Sequence, residues 1–111
     1  MIWQKGMDLV VMIYKLSNQL PETEKYGLRN QMTRAAISVP SNIAEGSSRK
    51  SKKDHVKFLE YSLGSTYELE TQVTAVDMLN YGDEALRKEI LKGIDEDQKM
   101  IQSFINKVEG S

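Results

Sequence analysis

The last third of the chain constrains the fold most. Leu86, Ile90, Ile94, Ile101, Ile105 and Val108 recur at helical spacing, and the residues between them are mostly charged. Only an amphipathic α-helix gathers such positions into one stripe facing a core. Asp83, directly after Gly82, is placed to cap its first turn. Asp97 falls in the middle of the apolar stripe. A buried, unpaired carboxylate is costly, so it is expected to reach solvent, pair with a base, or fix register as a polar device.

The rest of the chain reads as three more helices separated by Pro21, Gly46, Gly82 and the Ser/Lys-rich stretch 47–53. The first is predicted from Trp3 to Gln19, ending before Pro21, since the residue ahead of a proline avoids helical angles. It carries two apolar stripes, one of Trp3, Met7, Val10 and Tyr14, the other of Leu9, Ile13, Leu16 and Leu20. The second is predicted from Thr23 or Glu24 to about Glu45, with Leu28, Met32, Ala35, Val39 and Ile43 as core stripe and a weaker stripe of Tyr26, Thr33, Ile37 and Ala44. Pro40 removes a backbone donor inside that pattern, which predicts a kink. Gly46 is placed as a left-handed cap just beyond the end. The third helix should start after Ser51, capped in the manner of a capping box with Asp54, and run to about Asn80. Its stripes are Leu59, Ser62, Thr66, Leu69, Val73 and Val76, and Val56, Leu63, Tyr67, Thr74 and Met78. Gly64 in its middle weakens the helix, which predicts a close approach there, with Ala35 and Ala36 as the expected partners.

No segment has the alternation of a strand, and there is no internal repeat. The expected fold is all-α: a single domain over residues 1–111, an up-down antiparallel four-helix bundle, left-handed. The second apolar stripe on each of the first three helices exceeds what one bundle needs, which predicts a homo-oligomer.

Composition removes most catalytic chemistry. There is no cysteine and one histidine, His55. Disulfides, thiol nucleophiles, cysteine-ligated metals and any site with two histidines are therefore excluded. A di-iron bundle needs Glu-x-x-His pairs, and Lys52 stands where the glutamate before His55 would be. Phosphate-loop and nucleophile-elbow motifs are absent. Glu68 and Glu70 are two apart on a helix and point apart. We expect no enzyme activity, no cofactor and no metal. No apolar run reaches the ~20 residues of a membrane span, and Met1 to Gly6 lack the layout of a secretory signal. A cytoplasmic protein without membrane contact is expected.

Lys and Arg number 15 against 16 Asp and Glu, for a net charge of -1. The balance is uneven: residues 1–57 hold ten basic and five acidic side chains, residues 58–111 five and eleven. The densest basic stretch is Arg49, Lys50, Lys52, Lys53 and Lys57, with Arg29 a more distant addition. Such a cluster either contacts RNA or DNA phosphates in a salt-sensitive, sequence-independent way or is a solvated loop and first helical turn. No aromatic interleaves it to stack bases.

One stretch is more specific than any periodicity. It reads Glu24-Lys25-Tyr26-Gly27-Leu28, Gln31, Arg34-Ala35-Ala36, then Ser38-Val39-Pro40-Ser41-Asn42-Ile43-Ala44-Glu45-Gly46, with Arg49 and Ser51 after it. Phe58-Leu59, Gly64-Ser65, Glu68-Leu69-Glu70-Thr71-Gln72 and Trp3 complete the pattern. The chain resembles the four-helix bundle proteins encoded within 23S ribosomal RNA intervening sequences, some of which are labelled ribosomal-protein-like. The resemblance spans nearly the whole chain and implies a four-helix bundle and, for some relatives, a homopentameric barrel. One branch is similar to the accessory variability proteins of diversity-generating retroelements, which bind nucleic acid and a reverse transcriptase through a strongly basic surface. The net charge of -1 departs from that branch. The resemblance implies no catalytic residues, and an oligomeric accessory or scaffold role, with self, RNA or DNA, or another protein as partner.

The same run has a physical reading from its residues. Arg34 projects away from the core stripe and is free for a carboxylate on another helix or subunit. Ser38, Ser41 and Asn42 can bond backbone groups near Pro40, while Glu45 and Gly46 close the helix. Together with Gly64 these residues are either internal architecture or part of a subunit contact.

Overall fold

The computed structural model describes residues 1–111. Four helices fill the chain: α1 (Ile2–Ser17), α2 (Leu28–Ser47), α3 (Lys52–Met78) and α4 (Glu84–Glu109), with a short 3-10 turn at Glu22–Glu24. No strand forms. The helices pack as a ring in which each touches its sequence neighbours and α1 closes against α4. Register pairs fix the directions: Gly6 meets Pro40, Gly46 meets Phe58, Arg87 meets Asp77, and Lys5 meets Glu96. Every contacting pair is therefore antiparallel, which is up-down topology. The bundle measures 45 × 23 × 18 Å. No helix is long and apolar enough to cross a membrane.

The core lies in two clusters. The larger holds Leu9, Ile13, Leu16, Met32, Leu69, Val73, Ile90 and Ile94 among its members. The smaller holds Val39, Ile43, Val56, Leu59, Ile101 and Ile105. Between them runs a polar waist of Ser62, Thr66, Asp97 and Gln98, all buried. Ser62 Oγ donates to the Val39 carbonyl at 2.8 Å and Thr66 Oγ1 to the Leu63 carbonyl at 2.6 Å. Asp97 has neither solvent nor a hydrogen-bond partner. The expectation that it reaches water or a base is therefore wrong.

Two caps form as the sequence predicts. Asp83 accepts from the Leu86 amide at 2.8 Å, and Ser51 from the Asp54 amide at 3.1 Å. Other boundaries move. Helix α1 stops at Ser17, ahead of Pro21, and α2 starts only at Leu28, leaving Tyr26 outside it. Helix α2 runs unbroken through Pro40. Pro40 is buried, and its ring fills the space beside Gly6, where an added Cβ would sit 3.3 Å away.

The glycines reverse their expected roles. Gly46 is not a left-handed cap but lies inside α2, pressed on α3: an added Cβ would stand 3.0 Å from the Phe58 Cβ and 3.2 Å from the His55 carbonyl. Gly64 is exposed, and nothing lies within 4 Å of its added Cβ. The close approach to Ala35 and Ala36 therefore does not occur there. These opposite settings give opposite expectations. Gly64→Ala should stabilise by about 0.5–1 kcal/mol through helix propensity and reduced unfolded-state freedom. Gly46→Ala should destabilise by roughly 1–3 kcal/mol through overpacking. Denaturant midpoints of the two variants check the sign of each.

Candidate functional site

The basic stretch lies at one end of the bundle, where α2 finishes and α3 begins. Its members are unequal. Arg49 pairs with Glu45 one turn back on α2, and its guanidinium lies 4.7 Å from the centre of the Phe58 ring. Lys52 donates to the Ser111 carbonyl near the end of α4. That leaves Lys50, Lys53 and Lys57 exposed and outside any ion pair, with Asp54 among them. Arg29 is not part of this group. It sits at the opposite end of α2, twenty residues or about 30 Å away at helical rise, and meets Glu22 at 3.5 Å. His55 belongs to the packing: it is half-buried, with its ring edge-on to Phe104 at 5.8 Å.

The Ser-x-Pro-Ser-Asn run commits most of its polar groups internally. Asn42 Nδ2 donates to both the carbonyl and the Oγ of Ser38, each at 2.9 Å. Ser38 Oγ lies 2.8 Å from Ser65 Oγ. Ser65 Oγ gives its proton to the Tyr61 carbonyl, so Ser38 is the donor of that pair. This relay stitches α2 to α3 beside the Ser62–Val39 bond. Ser38, Pro40, Asn42 and Gly46 thus all make contacts inside the bundle. Glu45 holds Arg49. Ser41 and Arg34 remain on the surface, and Arg34 forms no ion pair within the chain. Arg34 lines a polar cleft with Asn30, Gln31, Ser38 and Glu68.

Beside Arg34 the outer seam of α1 and α2 mixes the large side chains of Tyr14 and Ile37 with polar Asn30, Thr33 and Ser38. Tyr14 and Ile37 line one hollow with Thr33 and Arg34, and are 43% and 44% exposed. Nearer the basic end, Trp3 and Ala44 line another with Ile43, and Trp3 is 45% exposed. These are members of the second stripes read from the sequence. The second stripe of α3 behaves differently. Val56 is drawn into the smaller core cluster, and Tyr67 and Met78 stay exposed.

The element that sequence reasoning missed is Arg87. It is 2% exposed and grips the α3–α4 connection. Nε donates to Asp77 Oδ1 at 2.7 Å, one terminal nitrogen to the Tyr81 and Gly82 carbonyls at 2.8 and 2.6 Å, and the other to Asn80 Oδ1 at 3.0 Å. A signal existed: Arg87 is seven residues before Ile94 and fourteen before Ile101. It therefore holds a core position beside Leu86, which packs half-buried against the larger cluster as expected.

The family model described as 23S rRNA-intervening sequence protein matches residues 1–103. Among solved structures, the chain is similar to a Bacteroides thetaiotaomicron protein of unknown function from the S23 ribosomal protein family. The two are 23% identical, with a TM-score of 0.87 over 95% of this chain and 98% of that one, a likeness of fold. No curated protein matches the chain.

Proposed function

This chain is a member of the 23S rRNA-intervening sequence protein family, and from that premise we propose that it is a non-catalytic scaffold that works as a homo-oligomer. Copies join through the outer seam of α1 and α2. The observation that carries this reading is the seam itself: Trp3 and Tyr14 lie on one face of α1, about 16 Å apart at helical rise, Ile37 lines the hollow beside Tyr14, and each of these large side chains stands exposed. Isolated exposed apolar residues are ordinary, but aligned ones beside polar rims mark contact surfaces. Arg34 supplies the polar rim and forms no ion pair within the chain, with Glu68 across the adjoining cleft. A closed ring repeats one such contact without leaving it open, and five copies is the number that the resemblance implies.

Nucleic-acid binding has weaker support. Arg29 is remote, Arg49 and Lys52 make exposed contacts within the chain, and Lys50, Lys53 and Lys57 are in no ion pair. Three phosphate contacts per chain give little affinity at physiological salt unless assembly repeats them.

Light scattering tests the proposal. The wild-type protein is expected at several times the 12.7 kDa chain mass. Tyr14→Glu with Ile37→Glu should give the chain mass while helical circular dichroism is retained. A wild-type protein that stays at the chain mass at every concentration would refute it.

A further inference from the structure

On the α1–α4 side the bundle carries a groove that adjoins the basic-end hollow of the proposed seam and shares Met1, Ile2 and Phe104 with it. Ile2, Met100 and Phe104 form an apolar floor, and Lys99, Ser103 and Lys107 form one rim, around a volume of about 590 Å³. The Phe104 ring also meets the His55 ring edge-on at 5.8 Å. The rim is regular. Lys99 and Lys107 are eight residues apart on α4, so their Cα atoms lie about 12 Å apart along the axis. Lys107 is in no ion pair. Lys99 meets Asp95 at 3.1 Å, but both are exposed and one turn apart, a pairing that contributes little and exchanges easily. The groove opens at the same end as Lys50, Lys53 and Lys57.

We propose that this groove docks an amphipathic helix of a partner protein, with its apolar stripe on Ile2, Met100 and Phe104 and acidic residues two turns apart against Lys99 and Lys107. The charge spacing selects this occupant. Residues seven or eight apart on one helix face recur at the separation of the two lysines. A lipid with one carboxylate would answer one ammonium and leave the other. A nucleic acid would answer both but would cover an apolar floor with a charged backbone. A second copy docked symmetrically would set the two lysines against their own equivalents. An apolar stripe read at three, four and seven residues is the usual form of helix-in-groove recognition, and Met100 supplies an adaptable surface.

The test is selection from a displayed library of 18-residue amphipathic helices, with a fixed apolar stripe and randomised flanks, on the full chain. Selected helices should carry Glu or Asp seven or eight residues apart on one flank. Selection on Lys99→Glu/Lys107→Glu should enrich Lys or Arg at those positions instead. The acidic helices should bind the wild type at least tenfold tighter than that variant, and Phe104→Ser should weaken them while Tyr14→Glu/Ile37→Glu leaves them unchanged. Absence of binders, charge-neutral enrichment, equal binding to both charge forms, or tighter binding of anionic vesicles or RNA at the same lysines would each overturn the proposal. The seam variant keeps this result separate from the assembly reading, since losing self-association should leave helix capture intact.

Discussion

Arg87→Ala is expected to cost about 3–5 kcal/mol, the largest loss from any single side chain outside the apolar core. Four hydrogen bonds end on its guanidinium, and three of their acceptors belong to the turn between α3 and α4. That turn depends on support. Asn80 holds φ 57°, a left-handed conformation that asparagine tolerates better than most residues, and Gly82 holds φ 72°. Gly82 is also packed on α1, where Gln19 Oε1 accepts from the Asp83 amide at 2.7 Å. Removing the guanidinium leaves the part-buried Tyr81 and Gly82 carbonyls and the Asp77 carboxylate without this donor, and opens a cavity at a core position of α4. For a domain of this size the melting temperature should fall by roughly 15 °C. Arg87→Lys should recover only part of the loss, because one ammonium cannot span four acceptors in a planar fork. Thermal denaturation followed by circular dichroism gives the order: wild type, then lysine, then alanine. If alanine melts within 3 °C of wild type, the guanidinium network is not what holds the turn.

The sequence makes the helices visible because apolar spacing is a local property. It exposes α4 most fully, since a single stripe with charged flanks permits one orientation only. It also exposes the caps at Ser51 and Asp83, where a polar side chain three residues from its amide is sufficient. What it hides depends on which helix lies opposite. Gly46 and Gly64 are both glycines near helix landmarks, and only the register of α2 against α3 decides that Gly46 touches Phe58 while Gly64 faces water. Asn42 is legible as a backbone binder, but its coupling through Ser38 to Ser65 requires the two chains of α2 and α3 to be in place. Leu86 and Arg87 are adjacent and both reach the core, Leu86 half-buried against it and Arg87 fully buried, but hydrophobicity points only to the first. The basic cluster is legible as charge alone. That Arg49 lies over Phe58 comes from the turn joining α2 to α3, and that Lys52 reaches Ser111 comes from the end of α4 lying beside it.

Arg87 and Asp97 are the two charged residues at core positions of α4, and they have opposite consequences. Arg87 is fully bonded. Asp97 is wholly buried, neither oxygen has a partner, and burial raises its carboxyl from 3.8 to about 6. Lys5 on α1 pulls the other way, but its ammonium is engaged by Glu96 at 2.9 Å. From α3 the waist offers Ser62 and Thr66, already donating to carbonyls, and Glu70, already accepting from Gln98 at 3.1 Å. Pro40 of α2, packed against Gly6 of α1, carries no donor. The folded state therefore holds this proton more tightly than the unfolded chain does. The resulting stability is fully present below the unfolded value near pH 4 and is lost as pH rises through about 6. The difference amounts to roughly 3 kcal/mol at 1.36 kcal/mol per unit, or about 10 °C in melting temperature. Asp97→Asn removes the titration with almost no change of shape. The variant should melt above the wild type at pH 8, and the gap should close or reverse by pH 4. Measuring the two proteins side by side cancels every other titrating group, including Glu96, whose hydrogen bond from Lys5 holds its carboxyl below the ordinary value and acts in the opposite direction. Asp97→Leu should widen the gap at pH 8 by joining the two core clusters into one. A gap that stays constant from pH 4 to pH 8 would mean that Asp97 keeps its charge in the folded bundle, with water or Lys5 reaching it.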